Sequence, residues 1–143
     1  MLGKISRAKE MGVELIINPN SNIKRRRGRI NSHVLVTIIG NLLENAMEAV
    51  SSSEKDEKNV EILIDENEKE ILVEVKDTGV GIKKENIPSI FDKGFSTKGS
   101  NRGRGLPLLK QIVENLDGKV EVLSEEEVGT KFIVQIPKGD KND

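Results

Sequence analysis

The sequence predicts an α/β protein, a two-layer sandwich in which a mixed, mostly antiparallel sheet of about five strands is covered on one face by about three helices. The chain has 143 residues, which is the size of one compact domain. Runs of β-prone residues alternate with amphipathic helical patterns in the order strand, helix, two strands, loop, helix, two strands. Each helical pattern has one apolar face, which it can bury against only one side of a sheet.

The N-terminal part predicts a strand after a basic, polar lead-in. Residues 1–12 are interpreted as the remnant of a linker, the end of a helix that leads in from an upstream segment. Val13–Ile17 is a continuous β-prone run that is followed by turn residues. The domain proper is therefore predicted over residues 13–138, and residues 139–143 are expected to be a disordered tail.

The clearest element is a helix over residues 32–50 with two distinct faces. Apolar residues recur on one face at spacings of three and four: Leu35, Ile38, Ile39, Leu42, Leu43, Ala46, Ala49 and Val50. The opposite stripe carries two amides and two carboxylates: Asn41, Glu44, Asn45 and Glu48. The helix therefore has an apolar back and a hydrogen-bonding front.

Two β-prone runs follow this helix. Residues 60–64 and 71–75 are predicted to form a hairpin with a turn over residues 65–70. The second strand runs directly into Asp77–Ile82, and residues 83–105 after it are poorly periodic.

The C-terminal part predicts a second helix and a second pair of strands. The helix begins near Leu106, with a proline in its first turn, where proline is tolerated. Asp117 and Gly118 end it, and residues 119–124 and 130–136 form the last two strands.

Composition excludes several classes of function. Lys plus Arg is 23 and Asp plus Glu is 24, whereas a protein that neutralises nucleic-acid phosphates is usually far more basic. Trp and Tyr are absent, and so are Cys and any histidine besides His33. Base-stacking platforms, thiolate sites and multi-histidine metal sites are therefore not expected. Because of the balanced charge, we do not expect nucleic-acid binding. No apolar run approaches the roughly 20 residues of a membrane-spanning helix, so we do not expect membrane insertion of this segment.

Asn41 and Asn45 form an i, i+4 pair on the front of the first helix. Amide oxygens are hard donors that suit Mg²⁺, which keeps waters and shares phosphate oxygens. Taken alone, the pair is more often a pair of asparagines that only make structural hydrogen bonds.

Asp77 stands at the exit of a strand, in the motif Asp77-Thr78-Gly79-Val80-Gly81. A carboxylate there can accept a hydrogen bond from the exocyclic amine of adenine and would repel the carbonyl of guanine. The two glycines would let the backbone approach a flat ring. The alternative is an ordinary turn without a ligand.

Residues 93–106 combine glycines with Lys98, Arg102 and Arg104 before a helix N-terminus. Successive amide groups and the positive end of a helix can hold an anion. A flexible basic loop without a ligand is the alternative, since the segment lacks the spacing of a P-loop.

Together, in this order and spacing, the motifs resemble the ATP-binding (Bergerat) fold of the GHKL superfamily, which includes DNA gyrase, MutL-type repair proteins, heat-shock chaperones and sensor histidine kinases. Residues 41–46 (NLLENA) resemble the asparagine box and residues 77–82 (DTGVGI) the first glycine box. Residues 90–98 (IFDKGFSTK) resemble the phenylalanine box with the lid, and residues 103–106 (GRGL) the second glycine box. Residues 37–50 and 103–122 resemble most the citrate and four-carbon dicarboxylate sensor kinases.

This resemblance implies that the chain binds ATP with Mg²⁺. Asn45, together with Asn41, would hold the metal. The residues that it implies at the nucleotide are Asn45, Asp77, Gly79, Gly81, Ile82, Phe95, Ser96, Thr97, Lys98, Gly103, Arg104, Gly105, Leu106 and Thr130.

The resemblance also implies which reaction follows. Hydrolysing members of the superfamily place a glutamate, as general base, where this chain has Asn41, and an amide cannot take a proton. Phosphoryl transfer to a histidine is therefore expected, with Asn41, Glu44 and Lys98 as candidate catalytic residues. Many histidine kinases carry a cation where this chain has Glu48, so Mg²⁺, lid amides, Lys98 or Arg104 would meet the phosphate charge.

The implied protein is the catalytic domain of a two-component sensor histidine kinase, cytoplasmic in location, with a membrane-anchored sensor as its parent. The phospho-accepting histidine would lie on a separate dimerisation domain, so this domain would not phosphorylate itself alone. Residues 2–15 (LGKISRAKEMGVEL) resemble the exit of such a dimerisation domain. That dimerisation domain and a response regulator are the expected partners. The alternatives are an ATPase with another base, a nucleotide-sensing module without catalysis, and a kinase that acts on serine.

Overall fold

The computed structural model describes residues 2–21, 32–92 and 105–138. These residues form α-helices, a five-stranded sheet and one short 3-10 helix. The elements in chain order are α1 (Leu2–Glu10), β1 (Glu14–Ile17), α2 (Ser32–Ser51), β2 (Asn59–Glu66), β3 (Glu70–Asp77), a 3-10 helix (Lys84–Ser89), α3 (Gly105–Asn115), β4 (Lys119–Glu125) and β5 (Gly129–Pro137).

The strands form one mixed sheet in the order β1-β2-β3-β5-β4. β1 pairs with β2 in parallel, with α2 as the crossover between them, and the other three pairs are antiparallel. This confirms the predicted two-layer α/β architecture with a mostly antiparallel sheet.

The core lies between one side of the sheet and the helices. Ile62, Val75 and Phe132 are in register across β2, β3 and β5, and all three are buried. α2 packs on β2 and β3 with its predicted apolar face, and Met47, which lies outside the predicted set, is fully buried as well. Of the helices described, only α2 is long and apolar enough to cross a membrane by length and composition, and its buried face identifies it as a core helix.

The first hairpin has longer strands and a tighter turn than the sequence predicts. β2 extends to Glu66 and β3 begins at Glu70, so that only residues 67–69 form the turn. The Asn67 side chain explains this: its Oδ1 accepts hydrogen bonds from the backbone amides of Lys69 and Glu70, at 2.7 and 2.9 Å. Such a local bond stabilises a turn and frees the flanking residues for the ladder.

The predicted N-terminal helix is present and packs on the domain. Ala8 of α1 is buried, and Met11 contacts the core. β1 begins one residue later than predicted, at Glu14. The 3-10 helix lies within residues 83–105, for which the sequence predicts no regular element.

The helix-facing side of the sheet carries a buried carboxylate at each end. At one end, Asp77 pairs with Val60 and with Thr130, and Thr130 pairs with Ser124; we call this the site end. At the other, the far end, Glu66 pairs with Ile71, which pairs in turn with Ile136.

Candidate functional site

Asp77 is the centre of the site end. Its side chain is buried, with 3% of the residue exposed. Its Oδ1 accepts hydrogen bonds from the backbone amides of Gly79, at 2.8 Å, and Thr130, at 3.3 Å. Two amides on different elements therefore fix the orientation of this carboxylate, and N–H groups are favourable partners for a negative oxygen.

The two glycines after Asp77 are required by contacts within the protein. A Cβ at Gly79 would lie 2.8 Å from the backbone carbonyl atoms of Ala49 in α2. Gly81 has φ +76°, and a Cβ there would lie 2.3 Å from the carbonyl oxygen of Glu125. From the sequence, these glycines are interpreted as making room for a flat ring. In the structure, the nearest atoms that a Cβ at either position would meet belong to the backbones of α2 and β4.

Ser124 joins the Asp77 loop to the turn between β4 and β5. Its Oγ accepts from the backbone amide of Ile82 at 2.7 Å, donates to the carbonyl of Gly129 at 3.1 Å, and lies 2.8 Å from Thr130 Oγ1. Ser124 is not among the site residues predicted from the sequence. The sequence pattern that could have identified Ser124 is the alternation along β4. Ser124 lies two residues after Val122 and four after Val120, so it faces the same side of the sheet as these inward-facing valines.

α2 contacts both the Asp77 loop and the beginning of α3. The Asn41 side chain donates from Nδ2 to the carbonyl of Thr37 at 3.0 Å. Its Oδ1 lies 3.3 Å from where a Cβ on Gly105, the first residue of α3, would stand. Ala49, against Gly79, is eight residues further along the helix, about 12 Å, and Asn45 lies midway, partly exposed.

Glu44, the third member of the polar stripe, is held by α1. Its two carboxylate oxygens accept hydrogen bonds from Arg7 at 2.8 to 3.0 Å. The hydrogen bond and the charge of Glu44 raise the pKa of Arg7 above its usual value, so the guanidinium stays charged. The proton-transfer role of Glu44 stays a prediction, now for a carboxylate that is engaged in an ion pair.

The described part of the phenylalanine box is packed into the domain. Phe91 meets the core residue Phe132 edge to face, with ring centroids 6.4 Å apart, and Lys110 of α3 lies over the Phe91 ring at 5.3 Å. Leu106 packs against the core at the start of α3. Six predicted site residues lie outside the described residues: Phe95, Ser96, Thr97, Lys98, Gly103 and Arg104.

The oxygen ligands available near Asn41 fit a Mg²⁺ ion that arrives bound to phosphate. Within the part of the chain that the structure describes, they do not form a site in which protein side chains alone would hold the metal. Among residues 2–21, 32–92 and 105–138, no group of three or more His, Asp or Glu side chains could hold a metal ion. The amide oxygen of Asn41, turned away from the Thr37 carbonyl, is a hard donor. Such donors suit Mg²⁺, which binds through few protein oxygens and completes its shell with water and phosphate.

Comparison with known proteins gives a consistent result. Residues 30–140 match the profile of the histidine kinase-, DNA gyrase B-, and HSP90-like ATPase family. The chain is 42% identical over 139 residues to a probable C4-dicarboxylate sensor kinase of Halalkalibacterium halodurans, which covers 96% of this chain and 26% of that protein. It is also 42% identical, over 138 residues, to the sensor protein CitS of Bacillus subtilis, covering 96% of this chain and 25% of CitS. The chain thus spans about a quarter of the length of these relatives.

Solved structures share the fold. The nucleotide-free catalytic domain of the histidine kinase ThkA superposes with a TM-score of 0.77 at 24% identity, over 96% of this chain and 88% of that one. Full-length ShkA in complex with AMPPNP gives a TM-score of 0.76 at 23% identity, over 92% of this chain and 27% of that one. The predicted fold and the predicted resemblance to citrate and dicarboxylate sensor kinases are therefore confirmed.

Proposed function

The chain belongs to the histidine kinase-, DNA gyrase B- and HSP90-like ATPase family, as a domain of the sensor histidine kinase type, and we propose that it binds ATP with Mg²⁺ and presents the terminal phosphoryl group to a histidine on a separate dimerisation domain. The observation that carries this proposal is the buried, amide-oriented carboxylate of Asp77, whose loop packs against α2 at Ala49. A histidine nitrogen would attack the terminal phosphorus, and the bond to the ADP oxygen would break.

Asp77 is proposed to recognise adenine. Oδ1 accepts from the amides of Gly79 and Thr130, so Oδ2 is the oxygen to which the adenine amine would donate. Guanine carries a carbonyl at the same place, and its oxygen would face a carboxylate oxygen without a proton between them.

Asn41 and Asn45 are proposed to hold Mg²⁺ through their amide oxygens, and the metal would neutralise charge on the phosphates. Support comes from the orientation of Asn41 Oδ1 toward the N-terminus of α3, where the helix dipole favours negative charge. Lys98, Arg104 and the other residues of the proposed lid are assigned by sequence resemblance alone.

The remaining parts of the proposal concern the whole protein. The domain is proposed to act on the cytoplasmic side of a membrane-anchored sensor, with a dimerisation domain and a response regulator as partners. This part of the proposal is based on the similarity of the chain to sensor kinases. The chain spans about a quarter of the length of these relatives.

Titration calorimetry with ATP, ADP and GTP, with and without Mg²⁺, tests the binding step. We expect binding of ATP and ADP, weaker binding of GTP, and an affinity for ATP that Mg²⁺ increases. No binding of ATP, or equal binding of ATP and GTP, would contradict the adenine site.

Addition of a purified histidine-bearing dimerisation domain and terminally labelled ATP tests the transfer step. We expect an acid-labile phosphoprotein and little phosphate release by the domain alone. Tight binding without transfer would favour a nucleotide-sensing module, steady phosphate release an ATPase, and an acid-stable product a kinase that acts on serine.

A further inference from the structure

Lys55 lies in the loop between α2 and β2 and reaches into the backbone of the site end. Its Nζ lies 3.2 Å from the carbonyl oxygen of Thr78, 3.3 Å from that of Gly79 and 3.1 Å from that of Val128. An ammonium has three donors, so these three carbonyls match its full capacity. Two of them belong to the Asp77 loop and the third to the turn between β4 and β5.

The loop itself holds Lys55 in place. Ser53 is buried, and its Oγ accepts a hydrogen bond from the backbone amide of Lys55 at 3.0 Å. The backbone amide of Ser53 donates to the carbonyl of Val50 at 3.0 Å, at the end of α2. The stem of Lys55 therefore starts from a fixed point.

The carbonyl of Thr78 and the amide of Gly79 belong to one peptide unit. In a trans peptide these two groups point in opposite directions, so the ammonium of Lys55 on the carbonyl side leaves the N–H directed toward Asp77 Oδ1, 2.8 Å from the Gly79 nitrogen. Hydrogen bonds in such a chain polarise one another. A flipped peptide would instead direct the Thr78 oxygen at the carboxylate.

The contact with Val128 acts on the second amide donor of Asp77. Val128 lies two residues before Thr130, whose amide donates to Asp77 Oδ1 at 3.3 Å. Gly129 between them has φ +148°, and a Cβ there would lie 2.1 Å from the carbonyl oxygen of Asp77. One ammonium thus ties together both backbone segments that orient the carboxylate.

We propose that Lys55 is a positioning residue that sets the orientation of Asp77 and thereby the selectivity of the site for adenine over guanine. The proposal rests on the proposed function for its ligand and on the hydrogen bonds above for its mechanism. Lys55 would act through the Thr78–Gly79 peptide and would not touch the nucleotide.

The variant Lys55→Met tests this, since methionine keeps an unbranched stem and removes the three donors. Lys58→Met is the matched control, because it removes the same charge three residues further along the same loop. Dissociation constants for adenosine, ATP and GTP would be measured at a temperature at which each variant is folded.

We expect Lys55→Met to weaken adenosine and ATP by a similar factor, roughly tenfold, and to lower the ratio of the GTP to the ATP dissociation constant. Lys58→Met should leave that ratio unchanged. A loss that grows with the number of phosphates and spares adenosine would mean that the charge alone matters, and it would overturn the proposal. Unchanged selectivity in Lys55→Met would also overturn it.

The amide signal of Gly79 in ligand-free protein gives a readout that needs no nucleotide. Lys55→Met should shift this proton upfield and speed its exchange, whereas Lys58→Met should do neither; an unmoved signal overturns the proposal. If the parent chain bound no adenosine or ATP, the proposed function would fail, while this signal would still decide the positioning of the peptide. Should Lys55→Met not fold, Lys55→Arg takes its place, because the fixed fork of a guanidinium cannot reproduce the three-carbonyl geometry.

Discussion

Two buried carboxylates lie on the same side of the same pair of strands, one at each end of the sheet. Glu66 at the far end is fully buried, and its Oε2 forms an ion pair with the ammonium of Lys138 at 2.9 Å. Asp77 at the site end is 3% exposed and is oriented by the backbone amides of Gly79 and Thr130. Six residues of extended chain, about 20 Å, separate their rows.

Glu66 and Asp77 are both buried, and they differ in the groups that hold their carboxylates. A lysine side chain neutralises a carboxylate and follows it as it moves, which suits a structural ion pair. Backbone amides are fixed by the fold, so they direct a carboxylate toward a defined position, which suits recognition. The neighbouring turns agree: Glu66 leads into a tight Asn67 turn, whereas Asp77 leads into a loop packed between α2 and β4.

The largest expected effect concerns the far end. Lys138→Met leaves the carboxylate of Glu66 buried without this ammonium, which should lower the free energy of unfolding by about 3 kcal/mol. The affinity for ATP should not change. Chemical denaturation and calorimetry measure the two quantities, with Lys69→Met, an exposed lysine at the same end, as control. A loss of affinity larger than the control's would contradict the separation of the two ends.

Asp77→Asn should have the reverse profile. The amide keeps one oxygen for the amides of Gly79 and Thr130, so the fold should be retained. A hydrogen bond to a charged acceptor is lost, so ATP binding should weaken by about 1–3 kcal/mol. The matched far-end variant Glu66→Gln should lower stability and leave ATP binding intact. Parent-like affinity in Asp77→Asn would refute the adenine role.

Ser124→Ala tests the junction between the Asp77 loop and the turn of the second hairpin. The amide of Ile82 would lose its acceptor, which should cost about 1 kcal/mol of stability. ATP affinity should fall modestly, because Thr130 loses a hydroxyl partner at 2.8 Å. The comparison is with Ser52→Ala, since Ser52 is exposed; equal effects of both substitutions would argue against the junction.

The smallest effect is expected at Arg7. Its ion pair with Glu44 is partly exposed, with side-chain exposures of 47% and 29%, and exposed pairs contribute little. Arg7→Met should lower stability less than Ser124→Ala does, and high salt should remove the difference between variant and parent. Thermal unfolding at two salt concentrations measures this, and a large loss that persists in high salt would show that α1 is essential to the fold.

The periodic elements could be predicted because local patterns determine them. α2 begins at the predicted Ser32 and buries the predicted face. The alternation of inward residues along β2 and β3 also carries a signal that could have identified both end rows, since Glu66 continues the series of Ile62 and Ile64, and Asp77 that of Val73 and Val75.

The partners of the site residues could not be predicted, because they depend on the register of distant segments. Lys55 and the Val128 carbonyl are 73 residues apart in sequence, and Arg7 and Glu44 are 37 apart. No spacing rule connects such positions. The same holds for Gly79, since its need for a missing Cβ arises from the backbone of Ala49 and becomes visible only when α2 lies against the loop.

A crystal structure of the chain with a non-hydrolysable ATP analogue and Mg²⁺ would show directly whether Asp77 recognises adenine. We expect the adenine amine within hydrogen-bond distance of Asp77 Oδ2, and the metal at the amide oxygens of Asn41 and Asn45. A nucleotide bound at the far end, or a base that leaves the Asp77 carboxylate untouched, would contradict this expectation.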